Sequence, residues 1–358
     1  MPKQIKYKKI GLEASSICQL RCYSCPNASK AILPIVGSGF LRLNDFQELL
    51  DENPWIAEIE LSNFGEIFLN PDLLGIIKYA YERKVALTAV NGVNLNNVKR
   101  EVLEGLVKYK LRTMSVSIDG ASNETYKQYR IGGNYDTVIE NIKKINIFKQ
   151  QYRSKYPLLS WQFVIFGHNE HELPKARKLA NELNIYFYLK IPWNDEFSPV
   201  LNREVIRRGH NAISWKEYKE KYGVDSYMQR NCHALWEQPQ INWDGKVLGC
   251  SENFWGDFGG NVFTDGLLVS LNNEKINYAR NMLMGRQGTR DDIPCATCNI
   301  YLGMRRKGNW LKRGGKRWII SSVPSSIKYI IKRLLPSSFK QIIDRLLYNK
   351  QKLLKYEK

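Results

Sequence analysis

Seven cysteines occur in the 358-residue chain and fall into two groups with none left over: Cys18, Cys22 and Cys25 near the start, then Cys232, Cys250, Cys295 and Cys298 near the end. Three thiolates spaced Cys-x3-Cys-x2-Cys can ligate three irons of a [4Fe-4S] cube, which leaves the fourth iron open to a small molecule. Four thiolates close a second metal site. An open cluster beside a closed one assigns chemistry to the first and electron transfer or structure to the second. A structural zinc ion with four thiolate ligands satisfies the second set equally well on spacing alone.

The elements that must position these groups are legible from residue 8 onward. Short β-rich runs at Ile10–Leu12, Glu58–Ser62, Ala86–Val90, Thr113–Ile118, Leu159–Ile165 and Tyr186–Lys190 alternate with helical periodicity at Leu43–Leu50, Leu73–Arg83, Tyr135–Gln151 and Glu170–Leu183. Alternating βα units predict a parallel α/β sheet, closed or partly closed into a barrel, with functional residues at the carboxyl ends of strands. From about Tyr222 to Arg306 the pattern changes to glycine turns and short strands, Pro239–Asn242 and Lys246–Cys250, around the last four cysteines. A part so small and rich in loops calls for a metal staple. The expected division is 1–205 for the core, 206–309 for the second cysteine domain and 310–358 for a tail.

Charge is concentrated in that tail. The chain carries a net +19, and Arg305 to Lys358 hold 16 Lys and Arg against two acids, which leaves 19 − 14 = +5 for the remainder. Twelve residues repeat there with nine identities, PSSIKYIIKRLL followed at once by PSSFKQIIDRLL, and each copy reads as a short amphipathic helix with a cationic outer face. An anionic membrane surface and a protein partner both fit such a face. Few aromatics and continuous apolar stripes speak against nucleic acid. No apolar run reaches the roughly 20 residues that span a bilayer. The opening MPKQIKYKKIGLE lacks a signal-peptide core. The expected location is therefore the cytoplasm, or the inner face of its membrane, where reducing conditions favour metal-ligating cysteines over disulfides.

Other segments place the first triad in a wider pattern. Asn63-Phe64-Gly65-Glu66 follows the second strand, Val90-Asn91-Gly92 the third, and SVSIDGASNETYKQYRIGGNYDTVIENI, from Ser115 to Ile142, begins in the fourth. Together with Cys18-x3-Cys22-x2-Cys25 they resemble the radical S-adenosylmethionine (SAM) superfamily over residues 8 to about 200. The resemblance implies a partial (β/α)6 radical SAM barrel whose open iron chelates the methionine end of SAM. It further implies a cofactor pocket that includes Gly65, in which Glu66 meets the SAM ammonium and Ser117 and Arg130 its carboxylate. Asn91, Asp119 and the Gly167-His168-Asn169 turn are candidates for the ribose and adenine. Two positions depart from the family pattern: Ser24 stands where many members have an aromatic residue, and Ile67 where the GEP form has proline. The later cysteines, Cys232-x12-Gly245-x4-Cys250 and Cys295-x2-Cys298, resemble the four-cysteine twitch form of the SPASM domain, as in the dehydrogenase of the aminocyclitol 2-deoxy-scyllo-inosamine, and imply an auxiliary [4Fe-4S] cluster.

The resemblance implies an oxidoreductase. A one-electron reductant such as flavodoxin or ferredoxin starts the cleavage of SAM to a 5'-deoxyadenosyl radical, the radical takes a substrate hydrogen, and the auxiliary cluster takes an electron. The expected substrate is a small molecule or glycan: a sugar, aminosugar or cyclitol. The alternative is a peptide-modifying enzyme, against which stand the 17 residues before Cys18 and the lack of a spare cysteine to resupply hydrogen. A non-catalytic iron-sulfur scaffold is the third reading. Trp161, Gln162, Trp193, Asp195, His233 and Trp236 are the candidates to line a substrate pocket.

Overall fold

The computed structural model describes residues 4–192, 196–202, 217, 220 and 232–311. Trp193, Asp195, most of 203–231 and the repeat-bearing tail from residue 312 onward lie outside the described residues.

β-branched and aromatic residues alternate with polar ones along the first 190 positions, and they form six of the seven strands among the described residues. These are β1 Lys9–Leu12, β2 Glu58–Glu60, β3 Ala86–Val93, β4 Thr113–Ser117, β5 Leu158–Val164 and β6 Tyr186–Lys190. The sheet order is β6-β5-β4-β3-β2-β1-β7, every described pairing is parallel, and the two edges are β6 and β7, so the sheet is an open α/β barrel fragment. The seventh strand is β7, Gln240–Ile241, which comes from the C-terminal cysteine region and pairs with β1 through Gly11↔Gln240 and Leu12↔Ile241. Residues up to Leu311 belong to one compact unit. The strand expected at Lys246–Cys250 is absent; single bridges, Ile241↔Val247 and Lys246↔Asn261, stand in its place. Positive-φ glycines at Gly245 and Gly249 interrupt the extended run at both ends.

Strands that follow one another in sequence lie side by side, so right-handed crossovers put their helices on one face of the sheet. The helices are α1 Leu33–Val36, α2 Leu43–Glu52, α3 Leu73–Glu82, α4 Arg100–Lys108, α5 Asn123–Tyr129, α6 Tyr135–Gln151 and α7 Leu173–Glu182. Pro174 at the start of α7 explains why the helical pattern expected from Glu170 begins as a 3-10 turn, Glu170–Glu172. Beneath the helices lie Ile59, Leu87, Met114, Val116, Trp161 and Phe163, all buried. Trp161 belongs to this core and not to a pocket: its indole donates to the Ile118 carbonyl at 2.7 Å and its ring meets Phe187.

The opposite face is polar. Glu60, Thr88, Ser115, Ser117, Ser160, Gln162 and Tyr188 alternate with the core residues, and the parallel registers Glu60↔Thr88, Ser115↔Ser160 and Gln162↔Tyr188 hold them in rows. The Tyr188 hydroxyl is 2.7 Å from Ser115 Oγ and donates to Gln162 Oε1 at 2.8 Å. Thr88 and Ser62 hydroxyls donate to Glu60 at 2.5 and 2.6 Å. No helix among the described residues is long and apolar enough to cross a membrane.

Candidate active site

The first cysteine triad lies in the loop that leaves the carboxyl end of β1, and three other strand ends reach it. Glu66, beyond β2, is buried, accepts the Phe68 amide at 3.3 Å and so caps the 3-10 turn Ile67–Leu69. Its other oxygen accepts the Asn94 amide at 2.6 Å. Asn94, at the end of β3, turns its own side chain to the loop: its amide nitrogen is 3.9 Å from Cys18 Sγ, and its oxygen accepts from Gln19 at 2.9 Å. Burial raises the Glu66 carboxyl to about 7 against the hydrogen bonds from Asn94 and Phe68.

Arg130 arrives from the far side. Ser122 caps α5 by accepting the Thr125 amide, and two helical turns later Arg130 stands at the C-cap. Its Nε donates to Asp119 Oδ2 at 2.5 Å and its Nη1 lies 3.6 Å from Cys22 Sγ. Asp119, fully buried at the end of β4, also accepts the Val164 amide at 2.7 Å through Oδ1. Burial opposes the charge of Arg130, but Asp119 and Cys22 outweigh it and hold the guanidinium well above its ordinary range. Ser117 points into the same polar face and accepts from Gln162 Nε2 at 3.3 Å. Asn91 is engaged elsewhere, donating to the Ser62 carbonyl at 2.6 Å.

Two departures from the family pattern have local explanations. Ser24 hydrogen-bonds the Tyr129 hydroxyl at 2.7 Å, and Tyr129 meets Phe166 at 4.5 Å in a tilted pair, so α5 supplies an aromatic ring beside the position that lacks one. His168 lies against Phe166 in the same group, with both ring nitrogens buried and without a hydrogen-bond partner among the described residues. Ile67 fills the core where a proline would otherwise shape the turn.

Gly65 supports the site indirectly. A Cβ there would stand 2.1 Å from the Ser15 carbonyl oxygen, so only glycine lets the Asn63–Glu66 loop pack on the cysteine loop. Glu13, fully buried at the end of β1, ties the same loop down by accepting the Phe64 and Gly65 amides at 3.0 and 3.2 Å. Burial raises its carboxyl to about 8 against those bonds. The folded chain therefore holds this proton more tightly than the unfolded one, and the resulting stability is full below about pH 4.5 and lost as pH rises through about 8. Over that window the loss is on the order of a few kcal/mol. Glu13→Gln is expected to flatten the decline; urea midpoints of both chains at pH 5.5 and 8.5 check it, and parallel declines would refute it.

Both cysteine sets are gathered. Burial, together with Glu66, Cys22 and Cys25 nearby, pushes the Cys18 thiol up to about 12. Burial raises Cys250 and Cys295 further, Cys232 and Cys298 add repulsion at both, and Cys250 adds it at Cys295. Cys298 caps the helix Asn299–Lys307, and the Ile300 and Tyr301 amides partly offset its burial. Buried thiols side by side ionise only when a cation shares the site, so the donor chemistry fits a metal-sulfur guest. Among the described residues no three His, Cys, Asp or Glu donors are close enough for one metal ion. A four-iron cube takes each cysteine on a different iron and spaces the thiolates wider.

Sequence reasoning missed Glu13 and Asn94. Each was marked by being a polar residue at a strand's carboxyl end, beside a motif already recognised. Of the pocket candidates, Gln162 lies on the polar face, Trp236 packs partly buried against the core, and His233 caps the short helix Ala234–Glu237.

An open parallel sheet with a three-cysteine loop at the carboxyl end of its first strand defines a radical SAM fold. Residues 12–180 match the model of the Radical SAM superfamily, whose chemistry uses SAM and a [4Fe-4S] cluster. The AdoMet-dependent heme synthase of Methanosarcina barkeri is 26% identical over 181 residues, 50% of this chain and 48% of that one, so the chain spans about half the length of that relative. Streptococcus suis SuiB bound to S-adenosylmethionine superposes with a TM-score of 0.55 at 16% identity, covering 82% of this chain and 71% of SuiB. Native anSMEcpe with bound AdoMet gives 0.51 at 15% identity, covering 81% and 86%. At these identities the two structures establish the shared fold.

Proposed function

We propose that this protein is a radical SAM oxidoreductase of the dehydrogenase type. Cys18, Cys22 and Cys25 hold the SAM-binding [4Fe-4S] cluster, and Cys232, Cys250, Cys295 and Cys298 hold an auxiliary one within a twitch-like domain. Bound there, the clusters and SAM supply a 5'-deoxyadenosyl radical and an acceptor for the second electron. The chain's own residues do the rest. Glu66 offers its carboxylate to the SAM ammonium, and Arg130, oriented by Asp119, and Ser117 take the SAM carboxylate. The observation that carries this reading is that Glu66, through Asn94, and Arg130 reach the cysteine loop from two sides, Asn94 on Cys18 and Arg130 on Cys22. An acid and a guanidinium brought to the same three-thiol loop from different strand ends match the two charged ends of an amino acid. Gly65 lets the Asn63–Glu66 loop pack on the cysteine loop, and Asn91 holds that loop through the Ser62 carbonyl.

A sugar, aminosugar or cyclitol substrate is supported by the polar face of Glu60, Ser115, Ser117, Gln162 and Tyr188, which offers hydroxyl and carboxyl partners to a polyhydroxylated guest. A modified peptide is the alternative product. Anaerobic reconstitution with iron and sulfide, reduction with dithionite and incubation with SAM test the proposal. Roughly eight irons per chain and release of 5'-deoxyadenosine are expected, and zinc in the second site or intact SAM would refute it. Mass spectrometry of incubations with 2-deoxy-scyllo-inosamine then distinguishes a cyclitol two hydrogens lighter from an unchanged one.

A further inference from the structure

Lys190 is the last residue of β6 and pairs in register with Val164. It continues the row of Tyr186 and Tyr188, so its side chain belongs to the polar face, beyond Gln162 and Ser117. Val164 in turn packs with Cys22, Tyr129 and Phe166, against the triad cysteines Cys18 and Cys25. The lysine thus stands at the carboxyl edge of the sheet, next to the wall of the first cysteine site. Its amine is within electrostatic reach of Asp119 and Arg130 on that side, and of Glu252, two residues beyond Cys250, on the other. It is half-buried. A basic side chain with charged neighbours from the surroundings of both cysteine sets stands where a substrate must lie if one set starts its oxidation and the other completes it.

We propose that Lys190 accepts the proton of a substrate hydroxyl when the C–H bond on the same carbon is broken. This rests on the radical SAM reading above. The hydrogen leaves as an atom to the 5'-deoxyadenosyl radical, which becomes 5'-deoxyadenosine. The hydroxyl proton passes to Nζ, the remaining electron passes to the four-cysteine iron-sulfur cluster, and a C=O bond is left on the substrate. The role requires an amine that is unprotonated near neutral pH. Burial lowers the affinity of Nζ for its proton, Arg130 acts in the same direction, and Asp119 and Glu252 oppose them without restoring the ordinary value. The neighbouring tyrosines on the row, Tyr186 and Tyr188, bring no further positive charge.

Competitive acetylation of the full-length apoprotein with acetic anhydride between pH 6 and 11, read peptide by peptide in a mass spectrometer, tests the amine directly. The expected result is a labelling midpoint for Lys190 below that of exposed lysines such as Lys178, whose side chain is 83% exposed. A midpoint equal to or above theirs overturns the proposal, whatever the iron content. In turnover of 2-deoxy-scyllo-inosamine by the reconstituted enzyme, Lys190→Met and Lys190→Arg are both expected to lower kcat by about 10²- to 10⁴-fold. Arginine fails because its guanidinium does not take up a proton. Retained kcat in Lys190→Met overturns the assignment. Absence of 5'-deoxyadenosine from the unmodified chain is a different result, which refutes the radical SAM reading and not the amine's basicity.

Discussion

Replacing Cys22 with alanine is expected to abolish 5'-deoxyadenosine release and to halve the iron that the reconstituted chain retains, from roughly eight atoms to roughly four. The thiolate is a direct ligand in the proposed site, so the rate should fall by more than the 10- to 100-fold that loss of an outer-shell partner costs. Cys22 is also the thiol that Arg130 approaches at 3.6 Å, so its removal leaves the guanidinium facing an empty pocket while Asp119 still holds Nε. Cys298→Ala should give the complementary result: four irons lost from the other site, and SAM cleavage retained when electrons come from dithionite. Iron and sulfide analysis with chromatographic detection of 5'-deoxyadenosine measures both. A Cys22→Ala chain that keeps eight irons and cleaves SAM would end the assignment of the triad.

Arg130→Met is expected to destabilise the apoprotein by about 3–5 kcal/mol, the cost of leaving a buried charge without its partner. Asp119 has no exposed surface, and once the guanidinium is gone its described side-chain partner is the Val164 amide. The double variant Arg130→Met, Asp119→Asn should recover most of that loss, since removing both charges removes the desolvation penalty with them. Urea unfolding of the four chains in a double-mutant cycle measures the coupling. Additive losses would show that the two side chains are not coupled and would refute the ion pair as the source of the loss. SAM affinity, measured by equilibrium dialysis with the reconstituted chains, should stay low in the double variant, because stability returns without the bidentate partner for the SAM carboxylate.

Much of the architecture was legible in the residues. The six βα strands were readable because alternation between Thr113, Ser115 and Ser117 and their apolar neighbours is a local pattern. Helix α6 was readable because its apolar spacing runs unbroken from Tyr135 to Gln151. Short helices escaped: α4 and α5 are nine and seven residues long and carry many charged or polar residues, so periodicity alone does not announce them. Trp161 was misplaced for a similar reason, since a tryptophan on a strand reads the same from either face until the register with Phe187 is known.

The chain's chemistry belongs to the sequence by itself: two complete cysteine sets, the Asn63–Glu66 loop and the Ser115–Ile142 segment are short-range patterns, and each lies between elements whose periodicity is also short-range. Tertiary structure decided which of these groups meet. Glu13 reaches Phe64 across 51 residues, and Arg130 reaches Cys22 across 108. The pairing of β7 with β1 joins Gln240 to Gly11, where a Cβ would stand 2.2 Å from the Gln240 amide oxygen. The polar row that ends at Lys190 exists only once six strands are in register. Hydrogen bonds and burial between distant residues depend on the path of the whole chain, whereas ligand spacing and strand alternation depend only on neighbours.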